Sequence, residues 1–368
     1  MDSINKRLFL FLPFAALILL GLLVYSNILH APFVFDDQGF ILDNMFLRDL
    51  SNFRYLSGTR YLAFLSFAVN YAIGGYDTFG YHLVNVVLHI SNSIILYLIV
   101  LNIFGTPALR GRAGEYVARG AAFTAALLFV AHPVQTEAVA FTTQRFASLA
   151  AFFYLLSVFL FIRARISLTT SKKGGGWLFY ALSLVFALAA QKTKEISFTL
   201  PAVIVLVEFT FFNTGERPVK RLSRLVPFIL LFVIIPLELF TSGAAHEEGW
   251  VPIAERVRLL QVQELATLSR HDYLLTQFRV LVTYMRLIIF PAGQNLDYDY
   301  PVYRSFFDPA VFISFFFVTG VFFSGLYLLV RGLREKRALE EAVTIDPSEE
   351  EYRRNLSRAK KRQDGEGR

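Results

Sequence analysis

The chain has 368 residues, of which 18% are charged, 55% hydrophobic and 16% aromatic, with 39 Phe and 17 Tyr. A soluble domain carries about a quarter charged residues, so this is the composition of a polytopic membrane protein. The absence of cysteine excludes disulfides and thiolate metal sites, and the net charge of +7 sits in short loops between apolar runs, which is a topology signal and no nucleic-acid signature.

A membrane-spanning helix needs about 20 mostly apolar residues. The first such run, residues 8–29, follows Lys6 and Arg7, so its start is expected on the cytoplasmic side. It lacks a small-residue cleavage site and reads as a retained helix. The stretch 61–73 is short and bracketed by polar or Gly-rich sequence, as an interfacial helix would be. Further runs are expected at 81–104, 119–131, 146–162, 177–190, 198–212, 225–240 and 310–330. Several are shorter than a full span, which implies tilt, thinning or burial in a bundle. The loops after alternate runs are basic: Arg110 and Arg112; Arg163, Arg165, Lys172 and Lys173; Arg217, Lys220, Arg221 and Arg224. The last run is followed by Arg331, Arg334, Lys336 and Arg337. This phase places the N-terminus inside and the first loop, 30–80, outside. Residues 276–291 are apolar but carry Arg279 and Arg286, so a re-entrant or interfacial helix is expected within a large external loop, 242–308.

Five groups of residues could carry chemistry. Asp36 and Asp37 lie just beyond the first run. Adjacent carboxylates repel, so one holds a raised pKa or the two share a cation. Either arrangement can take a proton from a hydroxyl; the competing reading is a solvated turn. His82, Asn85, His89 and Asn92 are spaced three, four and three apart, on one helical face. Such a stripe faces a bundle interior or a cavity, or serves helix–helix hydrogen bonding. His132 to Val139 forms a short external turn with Glu137, closed by Arg145, unless Thr136 and Glu137 simply cap a helix. Gln191-Lys192-Thr193-Lys194-Glu195 puts two lysines on the outside, against the charge bias, held by an anion such as phosphate or by Glu195. Tyr298, Asp299 and Tyr300 form an aromatic and acidic patch that suits either a sugar ring or an interfacial aromatic belt. Arg60, Arg270 and Arg279 are further external cations. No glycine-rich phosphate loop occurs, which argues against a cytosolic nucleotide-sugar donor.

The order of these stretches resembles the membrane half of the transmembrane-and-TPR protein O-mannosyltransferases and their bacterial relatives, within the GT-C glycosyltransferase superfamily. The resemblance rests on Phe35-Asp36-Asp37 with Ile41 and Asn44; Arg60-Tyr61-Leu62; Asn70-Tyr71 with Gly74-Gly75; Tyr81-His82-Leu83-Val84-Asn85 and His89; His132-Pro133-Val134-Gln135-Thr136-Glu137-Ala138-Val139; Arg145; and Lys194-Glu195. It covers about residues 8–310. It implies an all-α polytopic membrane protein with a GT-C-like bundle of about eight spans over residues 1–331 and external interfacial helices. The implied enzyme is an inverting transferase in a bacterial inner membrane, working on the periplasmic face. It would move a hexose, typically mannose, from a polyprenyl-phosphate carrier to a hydroxyl of a protein Ser or Thr or of a glycan. Asp36 and Asp37 would supply the base. Arg145 and Lys194 would meet the carrier phosphate, and Arg60, His82, Asn85, His132, Glu137 and Glu195 would shape the donor pocket. No cofactor is implied; a divalent cation at Asp36 and Asp37 is compatible with the pair and not required by it.

Two departures stand out. Relatives often carry Arg-Pro-Leu where this chain has Arg60-Tyr61-Leu62. Relatives also continue into further spans and tetratricopeptide repeats, whereas residues 332–368 form a charged tail whose Ala338–Pro347 stretch resembles the closing helix of one such repeat. One repeat cannot bury its own apolar face. The alternative expectation is therefore a non-catalytic membrane subunit or degenerate paralogue that partners a fuller transferase.

Overall fold

The computed structural model describes residues 3–55, 58, 60–169, 175–212, 216–238, 268–296 and 298–345. The chain is an all-α polytopic membrane protein. Among the described residues four helical stretches are long and apolar enough to cross a bilayer: Phe11–Ile28, Thr78–Ile103, Thr142–Thr169 and Pro309–Gly332. A bent pair, Glu115–Ala131 and Pro133–Ala140, makes a fifth if counted as one span. The expected runs 177–190 and 198–212 form helices of 16 and 12 residues, while 225–240 is broken, a helix over Pro218–Leu230 giving way to a 3-10 turn at Leu231–Val233.

In the first compact unit, α1 (Ser3–Tyr25) packs on α3 (Thr78–Ile103) and α4 (Glu115–Ala131). The contact is close because Gly21 offers no side chain: a Cβ there would lie 2.5 Å from Ile90 Cγ1. The segment 61–73, expected at the interface, forms α2 (Tyr61–Gly74), and Gly75 closes it at a φ of 61°, where a side chain would strain. Asp77 then starts α3 by accepting the Phe79 N–H at 3.0 Å.

α3 is the central element. At 26 residues it is about 39 Å long, and it packs against α1, α4 and α6 (Arg145–Thr169). Its polar stripe is buried, as the three-four-three spacing implies, and is spent on the bundle itself. His89 Nε2 lies 3.1 Å from the Val130 carbonyl, Asn92 donates to the Ser148 carbonyl at 3.0 Å, and Ser93 donates to the Ala126 carbonyl at 3.0 Å. α4 bends by 50° into the short α5 (Thr136–Ala140). Pro133 lacks a backbone donor there, and the His132 ring accepts the Val134 N–H at 3.1 Å.

α6 pairs with α7 (Gly176–Gln191) through reciprocal serines. Ser157 donates to the Ser183 carbonyl at 2.9 Å, and Ser183 returns a bond to the Ser157 carbonyl at 2.8 Å. α8 (Leu200–Phe211) and α9 (Pro218–Leu230) close the other end through a buried ionic cluster that sequence reading missed. Glu208 accepts Arg165 at 2.6 and 2.9 Å and Arg221 at 3.3 Å. Arg165, expected in a cytoplasmic loop, is instead an α6 residue and 1% exposed. The basic run that ended the helix in a hydropathy reading continues it, because Glu208 neutralises the charge.

The second unit contains α10 (Arg270–Ile289) and α11 (Pro309–Ile345). Tyr303 N donates to the Thr276 hydroxyl at 3.1 Å, and Phe278 meets Phe315 edge-on at 5.1 Å. α10 carries Arg279 and Arg286 and is not among the four spanning candidates. Tyr298 and Tyr300 stack at 5.8 Å. α11 runs on past the expected boundary at 331–332 to Ile345, while residues 346–368, and 242–267 of the expected external loop, lie outside the described residues.

Candidate functional site

The loop after α1 makes a tight reversal. Asp37 N donates to the Val34 carbonyl at 3.0 Å, Gln38 N to Phe35 O at 3.1 Å, and Phe40 N to Asp36 O at 2.9 Å. Phe35 sits at a φ of 50°, uncommon for a residue with a side chain. A single π-turn, Gln38–Leu42, follows, a wide-helix defect that often marks functional sites. The reversal separates the two acids. Asp36 is exposed and Asp37 is 1% exposed.

Asp36 lines a cleft of about 150 Å³ together with Phe40, Arg60, Thr143, Gln144, Phe146 and Lys194. Four segments supply these walls: the first loop, the residue that starts α2, the turn into α6, and the turn after α7. Leu62 N at the start of α2 donates to the Lys192 carbonyl at 3.1 Å, which ties the second and fourth segments together. Lys192 is itself paired with Glu238.

The cations of the cleft are held differently. Arg60 Nε donates to Glu195 at 3.1 Å, and its guanidinium lies 5.3 Å from the Phe146 ring centre. Both partners of the pair are about one-third exposed. Exposed pairs contribute about 0.2–1 kcal/mol, so a competing anion can open this one at little cost. Burial, and then the charge of Arg60, pull the Lys194 ammonium below the ordinary lysine range, against Glu195 and Glu137. An anion entering the cleft would restore its proton affinity.

Burial pushes the Asp37 carboxyl above the usual carboxylate range, opposed by the N–H groups of Val34 at 3.0 Å and Thr143 at 2.9 Å.

Arg145, expected at a carrier phosphate, is placed elsewhere. It is 0% exposed. It donates to the side-chain oxygens of Asn85 at 2.8 Å and Asn70 at 2.5 Å, and to the carbonyls of Tyr81 at 2.7 Å and Ser66 at 3.3 Å. Its plane also covers the Phe67 ring at 4.5 Å. Its guanidinium joins α2, α3 and α6, and it is not among the residues that line the cleft. Asn85 and His82, expected to shape the donor pocket, are likewise buried and absent from the cleft lining. Asn85 donates to the carbonyls of Val139 and Thr142, and His82 Nε2 lies 3.1 Å from the Ala31 carbonyl. Both are fully buried and brace the wall behind the cleft.

His132 is spent as a cap and does not line the cleft. Glu137 is exposed and accepts Gln144 at 3.3 Å, one residue removed from the cleft wall. Glu195 reaches the cleft through Arg60. Phe40, Thr143, Gln144 and Phe146 were missed by sequence reading. The signal was the stretch just before Arg145, a turn with three consecutive polar residues entering a helix. Among the described residues no group of three His, Asp or Glu side chains is placed to hold a metal ion.

No protein-family model matches the chain, and no solved structure matches it. Curated relatives do. The chain is 32% identical over 211 residues to protein O-mannosyl-transferase TMTC4 of Mus musculus, covering 51% of this chain and 28% of that one. It is 29% identical over 247 residues to protein O-mannosyl-transferase TMTC2 of Homo sapiens, covering 61% and 27%. It is 33% identical over 199 residues to protein O-mannosyl-transferase Tmtc1 of Drosophila melanogaster, covering 49% and 21%. The matched region is thus about half of this chain and less than a third of each relative.

Proposed function

We propose that the chain is a glycosyltransferase of the membrane, moving a hexose such as mannose from a polyprenyl-phosphate carrier to a protein Ser or Thr hydroxyl. The observation that carries this reading is the cleft itself, where the exposed carboxylate of Asp36 shares walls with Arg60 and Lys194. Sequence similarity to proteins named O-mannosyl-transferases supports it.

In this reading the acceptor oxygen forms a bond to the anomeric carbon as the carbon–phosphate-oxygen bond breaks. The acceptor proton goes to Asp36, and the bonding pair leaves with the lipid phosphate. A phosphate leaves as a stable anion, so no acid is required, and one base on the acceptor side is sufficient. Attack opposite the leaving group inverts the anomeric centre. Arg60 and Lys194 hold the phosphate, with Glu195 giving up its share of Arg60 as the donor enters. The site faces outward from a bacterial inner membrane, with the N-terminus cytoplasmic, which matches the loop charge phase.

The test is transfer of labelled mannose from a polyprenyl-phosphate mannose to a Ser/Thr-rich peptide by the purified full chain. General-base help is worth about 100- to 10,000-fold, so Asp36→Asn should lower turnover by that order with the donor still bound. Full turnover in Asp36→Asn would overturn the assignment.

A further inference from the structure

Asp36 and Asp37 are neighbours with opposite surroundings. Asp36 opens onto the cleft. Asp37 is closed off at 1% exposure, and each of its oxygens holds a backbone N–H from a different loop. Oδ2 accepts Val34 N at 3.0 Å, three residues back. Oδ1 accepts Thr143 N at 2.9 Å, 106 residues on. The first bond closes the reversal in which Phe35 is held at a φ of 50°, a conformation that persists only where surrounding structure enforces it. The second bond ties the loop that carries Asp36 and Phe40 to the turn that carries Thr143, and both segments line the cleft. Asp36 and Phe40 stand on the Asp37 side, and Thr143, Gln144 and Phe146 stand on the other. The far wall is itself immobilised by Arg145 through Asn85, Asn70 and the Tyr81 carbonyl. Asp37 therefore links a braced wall to the loop that aims Asp36.

We infer that Asp37 is a positioning residue, which fixes the direction of the Asp36 carboxylate and the separation of the two cleft walls and takes no proton from the acceptor. This rests on the reading of the cleft as the transfer site with Asp36 as base. A carboxylate suits the task because it is acceptor-only. An amide in its place would turn one N–H toward another donor, so Asp37→Asn breaks one bond of the two while keeping the size of the side chain.

The experiment compares Asp36→Asn, Asp37→Asn and Thr143→Pro in the full chain. The last removes the far N–H and leaves Asp37 intact. Donor KM and kcat are measured across pH with polyprenyl-phosphate mannose and a Ser/Thr-rich peptide, and amide hydrogen exchange is followed in peptides spanning Val34 and Thr143. A displacement of the order of 1 Å costs about 100-fold in rate. Asp37→Asn and Thr143→Pro should thus lose up to about 100-fold in kcat, with a raised donor KM and the acidic limb of the pH profile kept, and with faster exchange at both amides in Asp37→Asn and at the Val34 amide in Thr143→Pro, which has no amide hydrogen at 143. Asp36→Asn should lose that limb and leave exchange unchanged. If Asp37→Asn does not accumulate as folded protein, Thr143→Pro carries the same comparison. Loss of the acidic limb in Asp37→Asn would make Asp37 the base and overturn the inference. Wild-type kinetics and exchange in either clamp variant would overturn it as well. Unchanged turnover in Asp36→Asn would instead defeat the transfer reading, while exchange at the two amides still reports on the clamp.

Discussion

The guanidinium of Arg145 donates to the side-chain oxygen of Asn85 at 2.8 Å, and neither residue has any surface open to solvent. Asn85 turns its amide to the carbonyls of Val139 and Thr142. One residue on α3 and one at the start of α6 thus fix the whole turn between them, and that turn is a wall of the cleft.

Removing Arg145 should therefore unfold the site. Arg145→Ala strands the oxygens of Asn85, Asn70 and two carbonyls in the interior. Each buried acceptor left without its donor costs about 1–3 kcal/mol. Thermal unfolding in detergent should show a large fall in Tm, and Arg145→Lys, which cannot reproduce the fork, should recover only part of it. A variant with native Tm and a raised donor KM alone would mean that Arg145 meets the ligand after all.

Lys194 should set an alkaline limit on donor binding. Its pKa lies below the ordinary lysine range because of burial and the Arg60 charge, with Glu195 and Glu137 opposing. The charge that would hold a phosphate is full below that pKa and is lost as pH rises through it. Donor affinity should fall with it, at a lower pH than an ordinary lysine would allow. Lys194→Arg should move the limit upward. Lys194→Ala should raise donor KM with a smaller change in kcat; a fall in kcat at constant KM would show that Lys194 is no ground-state phosphate clamp.

Glu208 and Glu115 both pair with arginine, and they should differ sharply. Glu208→Ala takes the shared carboxylate from the buried guanidiniums of Arg165 and Arg221, with Glu216 still 3.6 Å from Arg165, at a cost of up to about 3–5 kcal/mol. Glu115→Ala removes a pair with Arg119 in which the Glu115 side chain is 74% exposed, worth about 0.3–0.5 kcal/mol. Equal Tm shifts in the two variants would contradict this reading of the cluster.

Topology is directly testable because the chain has no cysteine. Single cysteines at Tyr55, Tyr116 and Val219 would all sit on exposed positions, at 82%, 78% and 78%. With the N-terminus inside, an impermeant thiol reagent should label position 55 in intact cells and label positions 116 and 219 only after permeabilisation. The reverse pattern would invert the assignment.

Local pattern alone determined the class of this protein. Apolar runs announce helices because a lipid-embedded backbone must satisfy its own hydrogen bonds, and the three-four-three spacing on α3 placed its polar stripe in the interior before any contact was known. The same pattern could mark Asp36, Arg60 and Lys194 as unusual. It could not divide Asp36 from Asp37, since both precede the same π-turn and only the Thr143 amide, 106 residues away, draws Asp37 inward. The family resemblance put Arg145 at a carrier phosphate, and the loop charge pattern put Arg165 in a cytoplasmic loop. An arginine reads as solvated or ligand-bound until its partners are located, and here those partners, Asn85 and Glu208, lie 60 and 43 residues away. Whether a charge is exposed or buried depends on what packing brings within 3 Å of it, and only the tertiary structure decided that.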